Sequence, residues 1–373
     1  MGAEPEPSGI AAPVAPGELC VSTDQAPPML RRLTREQLEA TLRRVFIDGL
    51  LDDWEGPTLG QDPVSRRGFT TAGGELAMGL QTTEALRDTA EEVAALVTGD
   101  ARLARLLPCA ATAADASCAT QLVATYGPRL FRRPMTAEEA SSYEDLYAQV
   151  AAASDAVTGM QWTLAAMMQS PHFVYRAELG VAEGNERVLS AHELAHALAY
   201  TFTGQPADSV LVGKAVTGQL DTPDARVAEA RALLATIAGQ DTLRRFFYQW
   251  LRYARVEDAV KNDVQDFERV REAMSTETAR FIDEVVFVDE GGVSTLLTAN
   301  YTHIGQELTS FYGYGSGTQS PGRVERPENW GAGLLAQGSL LAANAHVDSS
   351  SPTLRGLLVH EKLHCNVRPT PPP

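Results

Sequence analysis

A chain of 373 residues, 44% of them hydrophobic, is long enough for two or three modules that each bury a core. Its formal net charge of −17 excludes a general binder of nucleic acid or anionic membrane, because either partner would repel such a surface. No apolar run reaches the roughly 18 residues that a membrane-spanning helix needs, so no transmembrane segment is expected.

Positive charge is almost all arginine, with lysine only at Lys214, Lys261 and Lys362. Arginines spread over helix faces need not converge on a phosphate, so this is read as compositional habit. Residues 1–29, which open with "MGAEPEPSGIAAPVAPGELC", lack the apolar stretch of a secretory signal. They are expected to form a flexible lead-in, as in a chain already shorn of an export signal.

Helix signals then run from end to end, and strand-like alternation is almost absent. Thr34 with Gln37 opens "TREQLEATLRRVFIDGLL", and Thr136 with Glu139 opens "TAEEASSYEDLYAQVAAA", both in capping-box spacing. Thr222-Pro223 and Ser351-Pro352 pair a capping hydroxyl with proline at the first helical position. The spacing predicts a mostly α fold, multi-helix, in two or three packed modules joined by long loops. The expected division is an N-terminal helical module at 30–135, a hairpin module at 136–180, a central module at 188–313, a loop at 314–329, a C-terminal module at 330–368, and a proline tail or linker at 369–373. Loops are also expected at Trp54 to Gly68 and Val181 to Arg187. Phe246, Phe247, Trp250 and Tyr253 follow helical spacing and read as core. No internal repeat is visible.

Cys109 and Cys118 flank a small, bendable spacer, so they either form a disulfide or sit as two buried thiols. Cys20 and Cys365 are the only other cysteines and are a weaker candidate pair. No CxxCH offers a covalent haem site.

Four of the seven histidines lie in "HELAH" (His192, Glu193, His196) and "HEKLH" (His360, Glu361, His364). Two imidazoles four residues apart on a helix can reach one zinc ion, and the glutamate beside the first can take a proton from bound water. Zinc is therefore a possible cofactor at His192 and His196, with Glu193 as the catalytic base and Glu277 or Glu284 as a third ligand that only the fold could bring near. Ser190 stands three residues before Glu193, however, which explains the same glutamate as half of a capping box. Glutamine is expected to serve as well there. The two Glu-x-x-His pairs, Glu193/His196 and Glu361/His364, are also half the ligand set of a di-iron helical bundle. "NAHVDSSSPTLRG" places His346, Asp348, Ser350 and Arg355 around a helix start, a possible anion or carbohydrate contact.

The phrases "YGPRLFRRPMTAEEASSYEDLY", "MMQSPHFVYRAE", "LSAHELAHALAYTFTGQPADSVL", "FFYQWLRYARVED" and "SSSPTLRGLLVHEKLHCNVRPTPPP" occur in this order. Together they resemble the chained domains of unknown function of the planctomycete cytochrome C-associated family, which also has myxobacterial members. The resemblance runs from Leu30 to the last proline and implies export to the periplasm or cell surface, which favours the Cys109–Cys118 disulfide. Members of that family usually continue past the proline run into another domain, and some travel with haem modules. Their counterparts of His192 and His196 are not generally histidine, so the resemblance implies that "HELAH" is a departure. The function expected from these features is that of an extracytoplasmic accessory or binding scaffold for a cell-surface, polysaccharide or redox partner. The alternatives are a zinc-dependent hydrolase on the "HELAH" helix and a di-iron protein.

Overall fold

Hydroxyl and carboxylate caps set where the helices start. In the computed structural model, Thr34 Oγ1 accepts the Gln37 N–H at 3.1 Å while the Gln37 side chain accepts the Thr34 N–H at 3.2 Å. Thr136 and Glu139 repeat the exchange at 3.1 and 2.9 Å, and Thr222 and Ser351 cap the proline-led helices Pro223–Leu234 and Pro352–Leu358. Each cap satisfies N–H groups that the helix itself leaves without a partner. The structure describes residues 28–47, 49–65, 68–71, 76–111, 115–184, 186–262, 264–314 and 322–366, and it is mostly α-helical.

Leu33 through Val174 build one continuous core. It joins the helices Arg35–Val45, Leu80–Thr98, Ala116–Phe131, Ala137–Ala153 and Ala156–Gln169, with Leu38, Leu122, Leu130, Met160 and Leu164 at its centre, each 1% exposed or less. Burial of each such side chain stabilises by about 1.5–3 kcal/mol. The boundary expected at 135/136 falls inside this core, because Tyr147 and Met160 pack with Leu86 and Leu122. The core is closed by an antiparallel pair in which Met29–Arg32 runs against Tyr175–Glu178. Cys109 and Cys118 are bonded to each other, in line with the short spacer and the implied export.

The "HELAH" helix, Ala191–Thr203, packs with Ser209–Val216 through Ala195, Ala199, Leu211 and Ala215. Gly204 ends it in the left-handed conformation at φ 67°, where a side chain would be strained. The Tyr200 and Thr41 hydroxyls lie 2.8 Å apart and tie this helix to the N-terminal core. The long helix Ile237–Leu251 leads to Phe267–Asp283, whose Phe281 and Ile282 share a core with Tyr301, Leu334 and Leu340. Residues expected in a separate C-terminal module thus fill the core of the preceding one.

Three expectations are corrected. The segment read as a loop at 181–187 contains a hairpin, Val181–Glu183 against Glu186–Val188. The loop expected at 314–329 contains the strand Gly322–Glu325, paired with Tyr301–Ile304, and a short helical turn at Glu328–Trp330. Both pairings link short strands whose side chains show no long alternation, so the sequence carries little strand signal. Of the four aromatics read as core, Phe247 and Tyr253 are buried, but Phe246 is 42% exposed and stacks on Phe69 at 5.6 Å. Cys20 and the proline tail lie outside the described residues. Cys365 is a free, exposed thiol.

Candidate functional site

Glu193 is wholly engaged as a structural carboxylate. Its Oε2 accepts the Ser190 N–H at 2.9 Å, and Ser190 Oγ accepts the Glu193 N–H at 3.3 Å, which completes the capping box. Its Oε1 accepts the N–H groups of Leu179 at 2.8 Å and Gly180 at 3.2 Å, which clamps the entry hairpin onto the helix. Burial pushes the Glu193 carboxyl up, but these backbone donors together outweigh it and hold the pKa below the usual carboxylate value. Glutamine, with one acceptor oxygen, cannot replace both sets of bonds, so the expectation that it would serve equally is corrected. Glu193→Gln is predicted to lower unfolding free energy by about 1–2 kcal/mol in urea titration. A loss below 0.3 kcal/mol, on the order of the error of such a comparison, would refute the clamp.

His196 is 7% exposed, and its Nδ1 accepts the Ala207 N–H at 3.1 Å. The neutral ring therefore carries its proton on Nε2. A zinc ligand of the HExxH kind binds through Nε2 and needs the proton on Nδ1, where a second N–H already points. Burial first, then the nearby charges of Arg132, His192 and Arg176, hold the His196 pKa down to about 3. Among the described residues, no group of three or more His, Cys, Asp or Glu is placed to hold a metal ion.

The possible third ligands serve other partners. Glu277 lies in a buried network with Thr302, Tyr312 and Arg326. Glu284 pairs with Arg323 at 3.1 Å and faces His303 at 3.7 Å. In "HEKLH", residues Val359–Leu363 form a π-helical turn, and His360 Nδ1 meets the Asn366 amide at 3.3 Å. Among the described residues, the two Glu-x-x-His pairs, including Glu361 and His364, are not brought into one metal-ligand group.

His346, Asp348, Ser350 and Arg355 are exposed and scattered along the surface. Lys261 Nζ fixes the segment by donating to the carbonyls of Ala345 at 3.1 Å and His346 at 2.6 Å. Ser351, not Ser350, caps the following helix, and that helix is seven residues long. No hydrogen bond or ion pair joins these four side chains to one another among the described residues.

What the fold does assemble beside "HELAH" is a cationic cleft of about 570 Å³. His192, His196, Arg44, Arg129, Arg132 and Arg133 line it, together with one acidic residue, Asp208. Arg132 ends the helix Ala116–Phe131 at φ 59°, a left-handed position that turns its side chain inward. It is 6% exposed, and its guanidinium donates to the carbonyls of Leu130, His172, Phe173 and Tyr175 at 2.8–3.2 Å. No carboxylate neutralises it among the described residues. Arg133 is paired bidentately with Glu139 at 2.7 and 2.9 Å, and Arg44 faces Asp208 at 3.5 Å. Arg129 lies over the Tyr126 ring, and neither it nor His192 has an ion pair among the described residues. Sequence reading missed these arginines as a site. The only hint was "RRP", Arg132 to Pro134, in the phrases that carry the family resemblance.

Two family models match the chain. The first, PSD4, described as a protein of unknown function (DUF1592), matches residues 189–314, and the second, PSD5, described as a protein of unknown function (DUF1595), matches residues 118–178. The Val181–Val188 hairpin is the junction between them, and the cationic cleft draws residues from both matched segments. No curated protein and no solved structure matches the chain. The segments 118–178 and 189–314 are thus two planctomycete cytochrome C-associated domains of unknown function, chained in one protein.

Proposed function

We propose that this protein is an extracytoplasmic accessory scaffold that holds an anionic group of its partner, a carboxylate, sulfate or phosphate ester on a cell-surface polymer, in the cleft beside the "HELAH" helix. The observation that carries this reading is Arg132, a buried guanidinium without a carboxylate, next to Arg129 and His192, which have no ion pair among the described residues. The carbonyls that hold Arg132 satisfy its hydrogen bonds but carry no net charge, so an anion entering the cleft meets a full positive charge in a partly buried setting. The overall charge of −17 opposes capture of anions at long range, so recognition rests on the local field of the cleft. The Cys109–Cys118 disulfide supports an oxidising compartment, and no helix among the described residues is long and apolar enough to cross a membrane.

Calorimetric titration with sodium sulfate, sodium phosphate and an oligogalacturonate at low salt tests the reading, with neutral dextran as the control. One or more of the anions is expected to bind, more weakly as NaCl screens the cleft. Arg129→Ala is expected to weaken that binding about tenfold, the loss of one charge-assisted hydrogen bond. Absence of binding by all three anions, or equal affinity in an Arg129→Ala, His192→Ala double variant, would overturn the proposal.

A further inference from the structure

A second cavity, of about 190 Å³, lies in the C-terminal half and shares no residue with the cationic cleft. Tyr312, Tyr314 and Trp330 wall it, and Glu277, Thr302 and Arg326 stand at its polar end. Trp330 meets Tyr312 at a ring-centre distance of 6.0 Å and 78°, and Tyr314 at 5.4 Å and 64°. Gly338 is required beside it, because a methyl group there would overlap the Tyr312 hydroxyl. Trp330 is 38% exposed and Glu277 is 1% exposed, so the site grades from solvent to a dry floor.

The floor has a specific set of free valences. Glu277 Oε1 accepts from Thr302 at 2.6 Å and Arg326 at 3.4 Å, and Oε2 accepts from Tyr312 at 2.7 Å. Each carboxylate oxygen has two acceptor positions, so Oε2 keeps one. Arg326 gives Nη1 to the Ala336 carbonyl at 2.8 Å, but its Nε–H, on a side chain only 5% exposed, has no acceptor among the described residues. A buried donor left unmade is costly, and this one belongs to a residue that lines the cavity.

Glu277 and Arg326 balance each other's charge, which disfavours an ionic guest. A donor without a partner on Arg326 and a spare acceptor position on Glu277, both on residues lining the same cavity, match a hydroxyl group, which both accepts and donates. Aromatic walls match the apolar C–H face of a sugar ring. The volume, that of about six water molecules, admits one ring and no more. A quaternary ammonium in an aromatic cage would want an unpaired carboxylate and would face the unmet Arg326 donor.

We propose that the pocket between Trp330 and the Glu277–Arg326 pair binds one neutral sugar ring. The proposal is independent of the anion cleft and goes beyond it, assigning a second ligand class to the scaffold. Saturation-transfer difference NMR on the full chain tests it with the methyl glycosides of glucose, galactose and N-acetylglucosamine, and with choline as the competing class. Transfer to the ring protons of one or more glycosides is expected. Trp330→Ala should weaken it at least about tenfold, on the scale of one lost stacking contact of ~1–2 kcal/mol. Tyr314→Leu removes another wall without touching the Glu277 bonds and is expected to weaken it too, with near-UV circular dichroism reporting that the variants fold. Arg129→Ala, which disables the cleft, should leave the glycoside signal unchanged. No transfer to any glycoside, equal transfer in folded Trp330→Ala or Tyr314→Leu protein, or a response to choline alone would each overturn the assignment.

Discussion

Glu277→Ala is expected to lower the free energy of unfolding by about 3–5 kcal/mol, the usual cost of removing one partner from a buried ion pair. The substitution leaves the Arg326 guanidinium, 5% exposed, with the Ala336 carbonyl as its remaining partner among the described residues. It also removes the acceptor of the Tyr312 hydroxyl and that of the shorter Thr302 contact. Burial raises the Glu277 carboxyl above the usual carboxylate range, and the hydroxyls of Thr302 and Tyr312 and the charge of Arg326 offset that rise only in part, so the charged form depends on all three neighbours. Removing both charges at once avoids the stranded guanidinium. The double variant Glu277→Met, Arg326→Met should therefore be more stable than Glu277→Ala by at least about 1 kcal/mol, although it carries more substitutions. Guanidinium denaturation of the three proteins decides the matter. A Glu277→Ala loss under about 1 kcal/mol would show that the network contributes no more than a surface pair.

The parts of the fold that were legible in the sequence rest on local chemistry. Thr34 with Gln37, Thr136 with Glu139, and Ser190 with Glu193 each complete a capping box because both members lie within one helical turn. Cys109 and Cys118, bonded to each other, are separated by a spacer short enough to let them meet, and the implied export favoured the bond over two buried thiols. The two cavities were not legible, because their parts come from distant segments. Glu277 and Arg326 are 49 residues apart, and Arg132 reaches carbonyls 40 to 43 residues away. A lone arginine in a sequence does not announce whether it will end as a surface charge or as a buried clamp on backbone carbonyls. The "HELAH" spacing was legible and misleading for the same reason. It fixes two histidines on one helix, but the tautomer of His196 is set by Ala207, in a turn beyond the helix end.

That tautomer has a pH signature. His196→Ala is expected to cost about 3 kcal/mol at pH 7, because the Ala207 N–H loses its acceptor and the imidazole leaves a cavity. His196→Asn, whose side-chain oxygen can still accept from Ala207, should lose less. The wild-type protein should in addition weaken as pH falls. In the folded state the His196 pKa is held at about 3, whereas in the unfolded chain it returns to its ordinary value of 6.5. Between these values the unfolded state binds one more proton than the folded state, so acid favours unfolding. The contribution is fully present above about pH 6.5 and is lost progressively toward pH 3, by about 2 kcal/mol between pH 7 and pH 5. Arg132 and Arg176 stay charged throughout and keep repelling the proton. The carboxylates with lowered pKa, among them Glu139 at about 2 and Glu193, protonate in the unfolded chain only near pH 4.5 and below, so their effect falls largely outside the window from pH 7 to pH 5. Urea titrations at pH 7, 6 and 5 on wild type and His196→Asn separate the histidine from the rest, since the other ionisable groups are common to both proteins. The stability gap between the two should shrink by about 2 kcal/mol from pH 7 to pH 5, because only the wild type carries the buried imidazole. A gap that stays constant across this range would mean that His196 takes up its proton in the folded state, and the acceptor role toward Ala207 would be wrong.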